Sequence, residues 1–349
     1  MPADQIGLLS DPALQTNWTK TTCGSEIFSY LRPPTPDAPI SEKTPLLILL
    51  HGYPQTSFIF RHLLKLLPAH YPLFIPDLPG YGRSTPSRTA HDKLTIGLAI
   101  LEALSTLLPT PHHPTPIILL GHDRGARIAH RLSLHLAHPS SHAPATPPLP
   151  TPYHLHGLAL LDTIPEPAQW ASFAAGGPAA AASSFHWPFL ANAPLAADMI
   201  VAYGGPRWCR ALLARWSGGS DADGLPAGLA ADGAVEAYAA AFAREEVVRA
   251  TCADYAASVG VDAEMQAADE GEGRRVGGLE GGRGVLVVFS EGYLGRGGGR
   301  DVGAVWRGYV EEGTRLVARG IGGGVGHFLV EEAPEEVVGV LVEWLEGGR

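Results

Sequence analysis

Residues 117–127 read Ile-Ile-Leu-Leu-Gly-His-Asp-Arg-Gly-Ala-Arg. Four apolar residues of strand character run into the turn Gly121-His122-Asp123-Arg124-Gly125, and a helical pattern from Ala126 to Leu136 follows. A strand that reverses this sharply into a helix leaves room only for small residues two before and two after the residue at its tip. That tip projects at the helix N-terminus, and here it is Asp123. A carboxylate attacking an ester or amide would make a labile anhydride, whereas attack on a saturated carbon makes a stable covalent ester. The turn therefore marks Asp123 as a nucleophile for substrates that carry a leaving group on sp³ carbon.

Two other segments supply partners. His51-Gly52-Tyr53-Pro54-Gln55 follows the apolar run Leu46 to Leu50, and a turn there aims the backbone N–H of Tyr53 into the same cleft. The N–H of Arg124, next to the nucleophile, completes a two-donor oxyanion hole. His51 itself reads as a buried hydrogen-bonding residue of the turn. Gly326-His327-Phe328 follows a strand at 316–318 and precedes the closing helix, where the chain order nucleophile, acid, base requires the base. Histidine titrates near neutral pH, so His327 fits that role. Two strand ends offer the orienting carboxylate, Asp162 after Leu158 to Leu161 and Glu291 after Val287 to Ser290. Asp162 is preferred, because Glu291 opens a glycine-rich loop and carries an extra methylene. Arg124 and Arg127 flank the elbow in a chain of net charge −10, which points to a local anion site.

Working outward, buried-strand runs recur at Leu46 to Leu50, Leu73 to Ile75, Ile117 to Leu120, Leu158 to Leu161 and Val285 to Phe289. Helical patterns lie between them, as at Ile96 to Leu107. The chain closes with Pro334 at a helix start and Val337, Val338, Leu341, Trp344 and Leu345 at helical spacing. Such alternation predicts an α/β class with a mostly parallel sheet flanked by helices, its function at the carboxyl ends of the strands. It breaks between about Glu166 and Tyr255, an Ala-rich, helix-prone stretch. The expected organisation is a core over 1–164 and 257–349 with a helical cap over 165–256. The proline-rich stretch His138 to Pro152 reads as a surface excursion, and the glycine-rich stretches 216–234, 266–284 and 295–299 as mobile insertions. The histidines around 112–156 are too irregularly spaced for a metal site.

The 349 residues carry 25 Lys and Arg against 35 Asp and Glu, which excludes a broad positive field for nucleic acid or anionic membrane. A small-molecule substrate is the expected partner, and a homodimer is compatible with the sequence. No run reaches the roughly 18 apolar residues of a membrane span, and the N-terminus lacks a basic and apolar leader, so a soluble cytoplasmic protein is expected. Cys23, Cys209 and Cys252 are too scattered for a disulfide framework or a zinc site and read as buried thiols.

The blocks HGYPQT, PDLPGYGRS, GHDRGARIAH, LALLDTIP, FHWPFL, TCADY, DVGAVWR and GHFLVEEAPEEV, spread over most of the chain, resemble the α/β-hydrolases with an aspartate nucleophile. That family includes epoxide hydrolases and the haloacetate (fluoroacetate) dehalogenases, and the sequence looks closer to the dehalogenases. The resemblance implies an α/β-hydrolase fold with an inserted helical cap and hydrolytic dehalogenation of a 2-haloacid, with no metal or organic cofactor. It implies that Arg124 and Arg127 hold the substrate carboxylate and that Asp162 completes the triad, Tyr293 occupying the more usual acid position. It also implies that His186, Trp187 and Tyr255 cradle the leaving halide, an imidazole N–H, an indole N–H and a phenol O–H converging without a competing anion. The glycine-rich loops, and Ser57-Phe58-Ile59-Phe60 where a tryptophan is often seen, depart from the family and imply a rim that admits larger substrates. The nearest alternative is an epoxide hydrolase using the same Asp123, His327 and Asp162, with Tyr203, Tyr238 and Tyr255 as donors to the epoxide oxygen. A non-catalytic ligand-binding protein that keeps the fold is the alternative from another class.

Overall fold

Among the described residues, eight strands form one sheet: β1 (Gln15–Lys20), β2 (Glu26–Arg32), β3 (Leu46–Leu50), β4 (Leu73–Pro76), β5 (Thr115–His122), β6 (Tyr153–Leu161), β7 (Gly284–Ser290) and β8 (Leu316–Ile321). Their order is β1-β2-β4-β3-β5-β6-β7-β8. The computed structural model describes residues 12–108, 113–138, 152–219, 224–279, 282–295 and 300–347. From β4 to β8 all neighbours are parallel, while β1 and β2 form an antiparallel pair at one edge. Every apolar run expected to be a strand is one. β3 is buried along its whole length because helices cover both faces of a parallel sheet, which is why its sequence is uninterrupted Leu and Ile. β1 and β2 were not foreseen: β1 is an edge strand, mostly exposed, with no apolar run, and in buried β2 the polar Ser29 interrupts the apolar residues.

The first core helices are α1 (Arg61–Leu66), α2 (Lys93–Leu107) and α3 (Arg124–Ala137). Asp92 starts α2 by accepting the N–H of Thr95 at 2.9 Å. Between β6 and β7 the chain makes α4 (Glu166–Ala175), α5 (Gly177–Ser183), α6 (His186–Ala191), α7 (Ala193–Tyr203) and α8 (Gly205–Trp216). It continues with α9 (Ala227–Ala230), α10 (Ala234–Ala241), α11 (Glu245–Ser258) and α12 (Val261–Gly271). The core closes with α13 (Val302–Arg307), α14 (Leu329–Glu332) and α15 (Pro334–Glu346). The helical excursion thus runs from Glu166 to Gly271, and residue 256 falls inside α11. No described helix is long and apolar enough to cross a membrane.

Two expectations about loops need correction. The glycine-rich stretches 216–234 and 266–284 are largely built into the fold, as α9, α10 and α12 show. Gly228 lies against Glu331, so that a Cβ on it would stand 1.9 Å from the Glu331 carbonyl oxygen, and a Cβ on Gly218 would meet the Gly324 carbonyl equally closely. Glycine here signals close backbone approach between the helical layer and the core, not freedom. In the second stretch Val276 exchanges hydrogen bonds with the backbone of Tyr309 and Glu311. The proline-rich excursion (139–151) and most of 295–299 lie outside the described residues. Cys23, Cys209 and Cys252 are all free and buried, as expected.

The elbow shows the same principle. A Cβ on Gly125 would stand 2.2 Å from the carbonyl oxygen of Leu50, whereas one on Gly339, an exposed position of α15, would meet nothing within 4 Å. Gly125→Ala should therefore destabilise by about 1–3 kcal/mol or more, because the obstacle is backbone and cannot swing away. Gly339→Ala should stabilise by roughly 0.5–1 kcal/mol through helix propensity. Urea denaturation of the two purified variants beside the parent measures both.

Candidate active site

Register brings three strand ends together. Leu50 of β3 lies opposite Gly121 of β5, and Leu161 of β6 opposite His122, so the residues that follow them emerge side by side. The N–H of Asp123 donates to the Leu161 carbonyl at 3.1 Å and that of Asp162 to the Val288 carbonyl at 2.8 Å. Asp123 and Asp162 both take a φ of +48°, and Asp232 is the one other described non-glycine residue with a positive φ. Backbone held in this sparsely populated region clusters at functional sites, and here it aims two carboxylates into one cleft.

The Tyr53 N–H donates to Asp123 Oδ2 at 2.9 Å. The Arg124 N–H is the first of α3 and has no acceptor within the helix. On the other side, His327 Nε2 stands 4.0 Å from Asp123 Oδ1. The opposite ring nitrogen, Nδ1, lies 2.6 Å from Asp162 Oδ2, while Asp162 Oδ1 accepts the Ser290 N–H at 2.8 Å. Glu291 instead lies over Gly320, where a Cβ would meet its carboxylate at 2.6 Å. Of the two carboxylates offered by the sequence, it is Asp162 that reaches His327.

The backbone of His327 is held at both ends. Its N–H donates to the Trp216 carbonyl of α8, and its carbonyl accepts from His122 Nε2, both at 2.8 Å. His51 bonds the Gly52 carbonyl through Nδ1 and accepts the Leu78 N–H at Nε2, which fixes a neutral tautomer and gives it the buried turn role expected. Burial works against charge on His327, but the hydrogen bond to Asp162 and the negative charges of Asp162 and Asp123 outweigh it and raise its pKa. Burial alone would raise Asp123; the positive charges of His327 and Arg124 prevail and keep its carboxyl below the ordinary range.

These groups open into a cavity of about 580 Å³ lined by Asp123, Asp162, His327, Arg127, His186, Trp187 and Tyr255, with further residues from α4, α5 and α8. All three residues expected of the halide cradle thus line the same cavity as Asp123. Burial takes the His186 pKa down to about 3, leaving a neutral ring whose Nδ1 has no hydrogen-bond partner. The two arginines part company. Arg127 lines the cavity, hydrogen-bonded once, through Nη1 to the Ile164 carbonyl at 3.1 Å, with its guanidinium 4.5 Å from the centre of the Trp187 ring. Arg124 does not line it. Its Nε and Nη2 fork onto Asp254 of α11 at 2.8 and 2.9 Å, Nη2 also reaches Ser258, and the guanidinium lies 4.2 Å from the centre of the Tyr255 ring. Of the two arginines expected to hold a substrate carboxylate, only Arg127 lines the cavity, while Asp254 takes the Nε–Nη2 edge of Arg124. Of the tyrosines expected in the epoxide alternative, only Tyr255 lines the cavity; Tyr203 is exposed and Tyr238 donates to Glu331 at 2.8 Å.

A family profile described as alpha/beta hydrolase fold matches residues 45–179. Over 312 residues the chain is 26% identical to a fluoroacetate dehalogenase from Burkholderia sp, a match covering 87% of this chain and 88% of that protein. A structure from Pseudomonas aeruginosa, provisionally assigned as an epoxide hydrolase, superposes with a TM-score of 0.73 at 26% identity over 97% of each chain. The chain is a hydrolase with the alpha/beta hydrolase fold. This hydrolase also shares 34% identity with epoxide hydrolase 4 from Mus musculus across 129 residues, 36% of its own length and 33% of that protein's.

Several residues around the site of the hydrolase carry no sequence signal of their own. Asp254 binds Arg124, the Lys93 ammonium at 2.7 Å and the Tyr81 hydroxyl at 2.8 Å, all of them buried. Glu332 accepts the N–H groups of Gly326 and Phe328, on either side of His327, at 2.7 and 3.1 Å, and that of Gly218 at 2.9 Å. Glu332 stands in the acidic GHFLVEE run, but nothing in that run tells which carboxylate turns inward. Among the described residues no cluster of His, Cys, Asp or Glu suits a metal ion.

Because the Asp123 charge helps to raise the His327 pKa, its neutralisation should lower it. In ¹⁵N-histidine NMR titrations, His327 of the hydrolase should titrate above 6.5. Asp123→Asn, which imitates a neutralised carboxylate, should move it down, and Asp162→Asn should move it down further.

Proposed function

We propose that this hydrolase displaces a leaving group from saturated carbon through an ester on Asp123, and that its substrates are 2-haloacids. The observation that carries the reading is a carboxylate at the elbow, with an N–H on one oxygen and a histidine–aspartate pair beyond the other. Arg127 binds the substrate carboxylate and so turns the carbon–halogen bond along the line of attack from Asp123. Asp123 forms the C–O bond as the halide leaves with the bonding pair. His186, Trp187 and Tyr255 stabilise the departing ion; neutral His186 offers an N–H without carrying charge of its own.

Ester formation removes the Asp123 charge, which frees His327 to act as a base. A water in the space between His327 Nε2 and the ester gives its proton to the ring and its oxygen to the Asp123 carboxyl carbon. The resulting oxyanion lies where the Tyr53 N–H already points, with the Arg124 N–H as second donor. Collapse expels the 2-hydroxyacid, whose oxygen takes the remaining proton of the water, and restores the Asp123 carboxylate; the His327 imidazolium returns its proton to solvent. Asp162 holds the tautomer and stabilises the imidazolium. The helical excursion that begins near residue 165 serves as the cap that excludes bulk water from these steps.

A second reading, epoxide hydrolysis, draws on the presence of Tyr255 in the cavity and on the naming of two of the relatives. A buried guanidinium favours an anionic substrate over a neutral epoxide, since an unpaired buried charge is costly until a ligand neutralises it.

His327→Ala should stop turnover yet accumulate an adduct on Asp123, visible as a mass increase after a 2-haloacid is added; an inactive variant without adduct would remove the covalent mechanism. Arg127→Lys should lower kcat/KM for a 2-haloacid by about 10- to 100-fold, the range of a lost charge-assisted hydrogen bond. Robust hydrolysis of a neutral epoxide, untouched by that substitution and without halide release from any haloacid, would hand the function to the second reading.

A further inference from the structure

The cavity is far larger than a two-carbon acid needs. At about 580 Å³ it lies in the range of pockets that enclose ligands of a dozen or more heavy atoms. Its reacting end is buried and contains the only carboxylates among the described lining residues, Asp123 and Asp162. The rest of the wall holds Gln169, Ser172, Ser183 and Ser184 together with two more arginines, Arg215 at the end of α8 and Arg300 just before α13. Arg215 is exposed, and Arg300 is half-buried.

Neither arginine has a carboxylate partner among the described residues. Arg215 reaches only the Ala182 carbonyl, at 3.5 Å, with its guanidinium 5.4 Å from the centre of the Phe185 ring. It lies close enough to His186 and Tyr293 to act on both electrostatically. Arg300 makes no hydrogen bond or ion pair at all among the described residues. A guanidinium stays charged at any physiological pH, and a half-buried one without a counter-ion is unfavourable until an anion meets it. Elsewhere in the helical layer Arg210, Arg244 and Arg249 each pair with a glutamate or aspartate, while Arg207 stacks on the Tyr203 ring away from the cavity. In a chain of net charge −10, two arginines with no carboxylate partner among the described residues line the same cavity, a concentration of positive charge that fits an arriving anion.

We infer that the outer half of the cavity binds a second anionic group, so that the substrates are 2-halogenated acids bearing a distal carboxylate, read by Arg215 and Arg300 while Arg127 holds the carboxylate beside the reacting carbon. The inference rests on the haloacid reading and narrows it. The distal contact is made equally in the ground and transition states, so it acts on KM more than on kcat. A bidentate guanidinium fork also explains why arginine rather than lysine stands at both positions.

The test compares 2-chlorohexanedioate with its distal monoamide, equal in length but lacking the far charge, and with chloroacetate, by halide release. Parent enzyme should prefer the diacid to the amide by about tenfold or more in kcat/KM, mainly through KM, as for one charge-assisted hydrogen-bonded contact. Arg215→Gln and Arg300→Gln should each reduce that ratio, the double variant should bring it near unity, and Arg300→Glu should invert it. A parent ratio at or below one, or a ratio unmoved in the double variant, overturns the inference while chloroacetate turnover keeps the haloacid reading in place. No halide from any of the three acids, and no mass added to Asp123, would overturn both.

Discussion

The carbonyl oxygens of Leu50 and His51 lie 2.2 and 2.5 Å from where a Cβ of Gly125 would stand. This contact between the end of β3 and the first turn of α3 decides how steeply the helix leaves the sheet. The same crowding recurs at Gly121, whose Cβ would strike the backbone of Gly125, and at Gly52, whose Cβ would strike the Asp123 side chain. Three positions without side chains therefore hold one carboxylate in a conformation it would not otherwise choose. The Tyr53 N–H, the His327 ring and the buried end of the cavity are all arranged around that point. Relaxing the contact would move the reacting oxygen relative to each of them, and displacement of about an ångström is enough to spoil attack geometry.

Above the sheet, the helical layer is attached by buried charge. Arg124, Asp254, Lys93 and Asp262 join α3, α11, α2 and α12, and all four are almost wholly buried. Burial opposes the ionised form of Asp254, but Arg124 and Lys93 hold its pKa well below the ordinary carboxylate value. A second buried attachment joins Arg61 of α1 to Glu331 of α14 and Tyr238 of α10. Such clusters add less net stability than well-packed apolar groups would, yet removing one member leaves the others uncompensated at about 3–5 kcal/mol. They set the position of the layer, and with it those of Tyr255 and Trp187.

How far the sequence could be read follows from where each signal resides. Parallel strands buried on both faces must be apolar throughout, so β3 to β7 announced themselves; β8, half-exposed at the far edge, showed only its short start at 316–318, and the antiparallel edge pair β1 and β2 had no uninterrupted apolar run. Asp123 was legible through two glycines at fixed spacing and His327 through chain order. Asp162 was one of two candidates, separated in the fold by which strand end abuts the histidine. His186, Trp187 and Tyr255 needed a family resemblance, because nothing in a helical stretch says which face meets a cleft. The fate of the Arg124 side chain was not legible, since its partner Asp254 lies 130 residues away in the chain. The glycine-rich segments misled for a related reason: close approach and looseness use the same residue, and only the neighbour tells them apart.

The hydrogen bond from the His327 N–H to the Trp216 carbonyl links the base to the layer that covers it. Glu332 repeats the link by holding Gly326 and Phe328 of the histidine loop together with Gly218 of the layer. Access and reactivity are thereby placed on one mechanical element. If α8 lifts to admit solvent, it takes with it half of the backbone support that keeps the imidazole facing Asp123. An opened site is then a disarmed one. Traffic of substrate and product must pass through the mouth, past side chains that can turn, while the roof stays where it is.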